Sequence, residues 1–235
     1  MTLIVRNLQL VRDRITTACV SAGRQPDSVR LMAVSKKFGV VAVLLAVSDG
    51  QRLFGENYIA EGVEKITALK AMLPAGIQLE WHCIGPVQSN KTRLVAEHFD
   101  WVQSVDRLKI AERLAEQRPP DLPPLQVCIQ VNIDGGASKS GVAPEEAQAL
   151  AQAVSKLPRL QLRGLMAIPE PAPDFVAACA LHMRARALFD QINSAAVLPV
   201  AMDTLSIGMT ADLEAAIQAG STMVRVGTAI FGSRF

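Results

Sequence analysis

Aromatic side chains are scarce: two Trp, one Tyr and seven Phe, 4% of 235 residues. Beside a hydrophobic content of 50% that is rich in Ala, Leu and Val, this scarcity argues against a β-sandwich. It favours helices packed on a buried parallel sheet. Charge of one sign is also lacking. With 24 Lys+Arg against 22 Asp+Glu the net charge is +2, and no dense basic run occurs, so no nucleic-acid or membrane-surface partner is expected. The four cysteines, Cys19, Cys83, Cys128 and Cys179, form no CxxC pair and have no histidine at metal-ligand spacing. They are expected to be small buried hydrophobes in a reducing compartment, and no metal site is expected. No apolar stretch reaches the ~20 residues that span a bilayer. Arg6, Arg12, Asp13 and Arg14 interrupt the apolar N-terminus, making it an amphipathic helix rather than a signal peptide. The expected location is cytoplasmic.

No linker, low-complexity tract or clear internal repeat divides the chain, so a single domain over residues 1–235 is expected, of a length that suits one α/β barrel. Strand-like runs at Leu31–Val34, Arg52–Gly55, Leu79–Ile84, Trp101–Ser104, Gln126–Asn132, Leu160–Met166, Thr204–Ile207 and Met223–Val226 alternate with helical periodicity. The helical stretches include Leu3–Ala22, Val40–Ser48, Ala60–Met72, Leu108–Gln117, Pro144–Lys156, Phe175–Asn193 and Asp212–Ala219. Strict alternation predicts a parallel sheet, and eight units allow a closed (β/α)8 TIM-type barrel. A doubly wound open sheet is the alternative, but its usual G-x-G-x-x-G turn after the first strand is absent.

Barrel sites lie at the carboxyl ends of strands. Those ends hold Ser35-Lys36-Lys37, Gly55-Glu56-Asn57-Tyr58, His82–Gly85, Ser104-Val105-Asp106, Asn132–Asp134, Met166–Pro169, Ser206–Met209 and Gly227-Thr228, a polar and glycine-rich set. Ser206-Ile-Gly-Met-Thr210 and Arg225-Val-Gly-Thr-Ala229 follow the last two strands, where barrels often bind phosphate through backbone N–H groups, here with Ser206 and Thr228 as added hydroxyl donors. By strand alternation Met32, Val34 and Lys36 share one face, and Lys37 takes the other. A lysine set against apolar walls is more readily neutral, and a neutral amine attacks aldehydes. A lysine joined to a phosphate cradle predicts a ligand that carries both aldehyde and phosphate.

Several blocks resemble the pyridoxal phosphate homeostasis proteins (YggS/PROSC type). They are Ala33–Lys36, Phe54–Tyr58, Trp81–Lys91, Ser138–Gly141, Arg163–Pro169, Leu205–Met209 and Val224–Gly232, in order over essentially the whole chain. The resemblance implies a barrel of the alanine racemase N-terminal-domain kind with pyridoxal 5'-phosphate (PLP) as an imine on Lys36. Ser206, Gly208, Gly227 and Thr228 would surround the phosphate. Arg225 would face the pyridine nitrogen, with the phosphate as its alternative partner, and Asn57, His82 and Met166 would line the ring. Members often carry Thr where this chain has Lys37.

The implied role is a non-catalytic one in intracellular PLP (vitamin B6) homeostasis, with effects on amino-acid balance and PLP-dependent apo-enzymes as acceptors. No catalytic residue is assigned, and the chain is expected to be a monomer. An arginine at the pyridine nitrogen weakens the ring as an electron sink, and racemisation needs a second acid/base. The racemase takes that group from an additional domain and a partner subunit, whereas this sequence stops after the last barrel unit. Tyr58 and His82 are candidate substitutes, each better explained by a structural hydrogen bond. His98 and His182 fall in helical segments and are expected to serve surface or packing roles. Two alternatives stay open: a PLP enzyme such as an amino-acid racemase, and an aldolase-type barrel whose Lys36 forms an imine with a phosphorylated sugar.

Overall fold

Polar Thr2 starts the first helix: its hydroxyl accepts from the Val5 N–H at 3.5 Å, a weak N-cap. The computed structural model describes residues 2–136 and 140–232, so Ser138 and Lys139 of the Ser138–Gly141 block lie outside the described residues. In α1 (Leu3–Ser21), Leu8, Val11, Ile15, Ala18 and Cys19 recur at helical spacing and form its buried face.

The alternation then runs β1 (Arg30–Val34), α2 (Val40–Ser48), β2 (Leu53–Glu56), α3 (Ile59–Met72), β3 (Glu80–Cys83), α4 (Thr92–His98), β4 (Trp101–Val105) and α5 (Leu108–Gln117). It continues with β5 (Leu125–Val131), α6 (Pro144–Val154), β6 (Leu160–Ala167), α7 (Phe175–Ser194), β7 (Thr204–Ser206), α8 (Leu213–Gln218), β8 (Met223–Val226) and the short α9 (Thr228–Phe231). Local chemistry marks the helix starts. Pro144 opens α6 with Glu145 and Glu146 in its first turn, and Asp174 caps α7 by accepting from the Ala177 N–H at 2.8 Å.

All eight strands are parallel and join in chain order, and β8 closes onto β1 with Met32 opposite Arg225. The result is the (β/α)8 barrel that the alternation predicts. The strands expected over Leu79–Ile84 and Thr204–Ile207 are shorter, because Ile84 and Ile207 already belong to the loops that build the mouth.

The main core lies between the strands and the surrounding helices. Two small apolar clusters sit apart from it, Met32, Val34, Ile84 and Met223 in one and Trp101, Cys128 and Met166 in the other. By strand alternation these are the inward-facing residues. Between them the interior is polar: His82, Gln103, Ser206 and Arg225 are all buried. Burial pushes the Cys83 and Cys128 thiols up to about 12, leaving them inert hydrophobes. Among the described residues no three His, Cys, Asp or Glu side chains group as metal ligands. No described helix is long and apolar enough to cross a membrane.

Candidate functional site

Lys36 sits just past the end of β1, and the backbone on both sides of it is held from behind. The Ser35 N–H donates to Gly55 O at 3.1 Å, and the Ser35 hydroxyl donates to Glu56 Oε1 at 2.6 Å. Buried Lys65 on α3 donates to both Ser35 O and Glu56 Oε1 at 2.7 Å. Glu61, one turn before Lys65, pairs with it at 2.7 Å and accepts the N–H of Lys37. Burial pushes the Glu56 carboxyl up, opposed by its hydrogen bonds from Lys65 and Ser35. Lys37 adopts a positive φ of 64°, so the chain turns immediately after Lys36. The two lysines therefore diverge. Lys36 lines a cavity at the barrel mouth, whereas exposed Lys37 lays its ammonium 5.7 Å from the Tyr58 ring centroid.

The cavity measures ≈ 270 Å³, near the lower end of small-molecule sites, which run from roughly 300 Å³ upward. Val34, Phe38, Ile84, Ile168 and Met209 supply apolar walls, and Lys36, Asn57, Thr210, Arg225 and Thr228 supply polar groups. Asn57 Oδ1 is buried with no hydrogen-bond partner among the described residues. Behind it Gly85 is required, since a Cβ there would come within 2.1 Å of Asn57 O. At the rim the Thr228 hydroxyl donates to that of Thr210 at 3.1 Å. Thr228 also opens α9, whose first N–H groups have no intrahelical acceptor.

Arg225 forms the floor. It is 3% exposed, with Nη1 donating to Ser206 O and Oγ at 2.7 Å and Nη2 to Ala167 O at 3.0 Å. Burial pushes the guanidinium down to about 10, still far above neutrality. All three acceptors are uncharged, and the charge of Asp212 acts on the guanidinium without bonding it, so an anionic or strongly accepting ligand at the cavity would be favoured. Apolar walls, an amine, an unsatisfied amide, a buried cation and paired rim hydroxyls together fit a phosphorylated aromatic aldehyde.

Of the expected site residues, Lys36, Asn57, Arg225, Gly227 and Thr228 meet at this cavity, and four do not reach its wall. Ser206 is fully buried below it, its single hydroxyl proton donated to Gln103 Oε1 at 2.6 Å. Gly208 holds the loop instead. Its φ is +92° and a Cβ would meet that of Ala216 at 2.4 Å, while its carbonyl accepts from the Arg225 N–H at 3.0 Å. His82 lies inside the barrel, stacked on Trp101 with ring centroids 5.1 Å apart and bonded to Glu80 at 2.7 Å. Burial lowers its pKa against the pull of Glu80, so it is neutral. Met166 packs with Trp101 and Cys128, and Ile168, two residues on, takes its expected place at the wall. Phe38 has no counterpart among the expected site residues, whereas Met209 and Thr210 belong to the Ser206–Thr210 run expected at the phosphate. Thr210 was detectable as the last residue of the glycine-rich run after β7.

That run is braced from both sides. Met209 N–H donates to Asp212 Oδ1 at 2.6 Å, and Asp212 Oδ2 meets His182 of α7 at 3.0 Å. Arg14 of α1 donates to Thr210 O at 3.0 Å and pairs with Glu214 at 2.7 Å. His182 thus has a specific partner on another element, whereas His98 bonds the Leu94 carbonyl of its own helix.

The family model described as "Alanine racemase, N-terminal domain" matches residues 7–235. A pyridoxal phosphate homeostasis protein of Pseudomonas aeruginosa is 54% identical over 234 residues, 100% of this chain and 97% of the relative. Its Escherichia coli counterpart is 52% identical over 231 residues, 98% of this chain and 97% of the relative. Among solved structures, PipY of Synechococcus elongatus with PLP bound superposes with a TM-score of 0.82 at 35% identity, covering 97% of this chain and 100% of that one. Alanine racemase of Clostridium difficile, at 18% identity and a TM-score of 0.73 over 97% of this chain and 57% of its own, shares the fold. A barrel that closes on a lysine, a buried arginine and a hydroxyl rim, matched over its whole length at this identity, belongs to the family of the pyridoxal phosphate homeostasis proteins.

Proposed function

We propose that this chain binds PLP, holds it covalently through Lys36, and serves intracellular PLP (vitamin B6) homeostasis without turnover, with effects on amino-acid balance. The observation that carries this reading is the meeting of Lys36 and buried Arg225 in one apolar slot beneath the Thr210–Thr228 hydroxyl pair. When bound, PLP supplies an electrophilic aldehyde and an electron-withdrawing ring. Lys36 provides the amine, and Val34, Ile84, Ile168 and Met209 enclose the ring. Thr228, Thr210 and the first turn of α9 take the phosphate. Arg225 lies deeper than that rim, which favours the ring nitrogen over the phosphate as its partner. An arginine there keeps the nitrogen unprotonated and limits the ring as a sink for carbanion charge.

Among the described residues that line the cavity, Lys36 and Arg225 are the ionisable ones. Arginine is a poor base, so no second acid/base faces Lys36 from these walls. Tyr58 is exposed beneath Lys37, and His82 is sealed in the barrel. Lys36 is partly exposed at the mouth, where incoming amines can exchange with it. The same reading makes the protein a cytoplasmic monomer that passes PLP to apo-enzymes.

Borohydride reduction of the PLP-loaded protein, followed by peptide mapping, should place the adduct on Lys36, and Lys36→Ala should lose the visible band while melting like the wild type. Mixed with a PLP-requiring apo-enzyme, the loaded protein should restore activity. Mixed with L-alanine, it should yield no D-isomer or keto acid. Turnover that Lys36→Ala abolishes would refute the carrier role.

A further inference from the structure

The barrel interior holds a continuous line of hydrogen bonds that begins at the amino ends of the strands and finishes at the cavity floor. Arg30, the first residue of β1, donates to both carboxylate oxygens of Glu80, the first residue of β3, at 2.8 and 3.0 Å. Glu80 Oε1 meets His82 Nε2 at 2.7 Å. His82 Nδ1 lies 3.1 Å from Gln103 Nε2, and Gln103 Oε1 accepts the Ser206 hydroxyl at 2.6 Å. Ser206 Oγ in turn accepts from Arg225 Nη1 at 2.7 Å. His82, Gln103 and Ser206 are fully buried and Arg225 nearly so.

The direction of every bond follows from its ends. A guanidinium only donates, so Ser206 Oγ must accept there and send its one proton to Gln103. Gln103 then presents its carbonyl to Ser206 and its NH2 to His82. That makes Nδ1 the acceptor and leaves the imidazole proton on Nε2, facing the Glu80 carboxylate. No member can turn over without breaking the next bond. Such a column is costly where branched aliphatic side chains ordinarily fill a barrel, and aliphatic packing would serve the fold alone. What it achieves is at its upper end. There Ser206 Oγ, with the Ser206 and Ala167 carbonyls, occupies three of the five N–H groups of Arg225 and fixes the guanidinium plane at the cavity that Arg225 lines.

We propose that Gln103 and His82 are positioning residues that act through Ser206 to hold the Arg225 guanidinium in its ligand-binding orientation, and so set the affinity and spectrum of bound PLP. The proposal rests on the reading that PLP occupies this cavity against Arg225. Neither residue touches the cavity wall, so any effect on the ligand must be transmitted.

The test is a double-mutant cycle on the purified full chain, titrated with PLP and followed by its visible absorbance. Gln103→Leu should weaken binding roughly three- to tenfold, the scale of one hydrogen bond, and shift the absorbance maximum. In an Arg225→Lys background the same change should cost nothing further, because the group it acts through is gone. His82→Leu should behave like Gln103→Leu, whereas His82→Asn, whose Oδ1 still accepts from Gln103, should recover most of that loss. Thermal melts of every variant separate loss of fold from loss of orientation. Equal losses from Gln103→Leu in both backgrounds, an unchanged Gln103→Leu, or equal defects in the two His82 variants would each overturn the relay and leave PLP binding intact. A wild-type chain that takes up no PLP on Lys36 would instead overturn the binding reading, and the relay with it.

Discussion

At the scale of single residues, the turn at Lys37 decides which of two adjacent amines is chemically useful. Strand alternation already separates Lys36 from Lys37, and the positive φ at Lys37, together with the Glu61 contact to its N–H, prevents the loop from exchanging them. Thr228 sits at the rim with its hydroxyl against Thr210 and its side chain exposed. Replacing it with valine removes one donor at nearly constant volume, and a hydrogen bond to a charged group contributes about 1.5–3 kcal/mol. At this exposed position the lower figure applies. Thr228→Val should weaken PLP binding by roughly one power of ten and leave unphosphorylated pyridoxal unaffected, as measured by parallel titrations. Equal losses for both ligands would place the phosphate elsewhere.

At the scale of elements, the loop after β1 depends on α3. Lys65 is buried, and it joins Ser35 O, Glu56 and Glu61 in one cluster. Lys65→Met would leave Glu56 buried beside an unmatched carbonyl, and breaking a buried ion pair from one side costs about 3–5 kcal/mol. Urea denaturation should show a loss of that order. The same variant should bind PLP poorly even where it is fully folded, because the backbone carrying Lys36 has lost its support. Full-strength binding at low denaturant would mean that the cluster serves stability alone. The loop after β7 is braced in a comparable way by His182, Asp212 and Arg14. Both site loops are thus held by helices outside the barrel.

For the whole molecule, the carboxylates predict an acid limit. Burial alone would raise Glu80 and Asp212, but hydrogen bonds from His82 and Arg30 with the charge of Arg30 in the first case, and hydrogen bonds from His182 and the Met209 N–H with the charge of Arg225 in the second, hold both below the ordinary range. A carboxyl lowered by folding contributes stability that is complete above its unfolded value and vanishes as pH falls through its folded one. Glu56, held high by burial, works in the opposite sense. Stability should therefore fall as pH drops below the unfolded carboxylate value of about 4. Asp212→Asn, less stable at neutral pH, should show a shallower acid limb in urea melts. Parallel limbs for variant and wild type would remove Asp212 from the account.

Strand–helix alternation, the lysine pair just past β1 and the glycine-rich ends of β7 and β8 are local patterns, and the sequence by itself determined them. It also carried the family, because Ala33–Lys36 and Val224–Gly232 are contiguous blocks. Depth within the barrel was decided only by tertiary structure. His82, Met166 and Ser206 are close to strand ends in the sequence, yet they lie below the mouth, because the stagger between neighbouring strands sets which residues share a layer. His82 is level with Gly55 and Trp101, and Arg225 with Met32. Stagger arises from pairings between residues far apart in the chain, so no window along the sequence contains it. The polar column from Arg30 to Arg225 takes members from five strands for the same reason. Each of its side chains alone resembles an ordinary buried polar residue, and only closure of the barrel brings them into line.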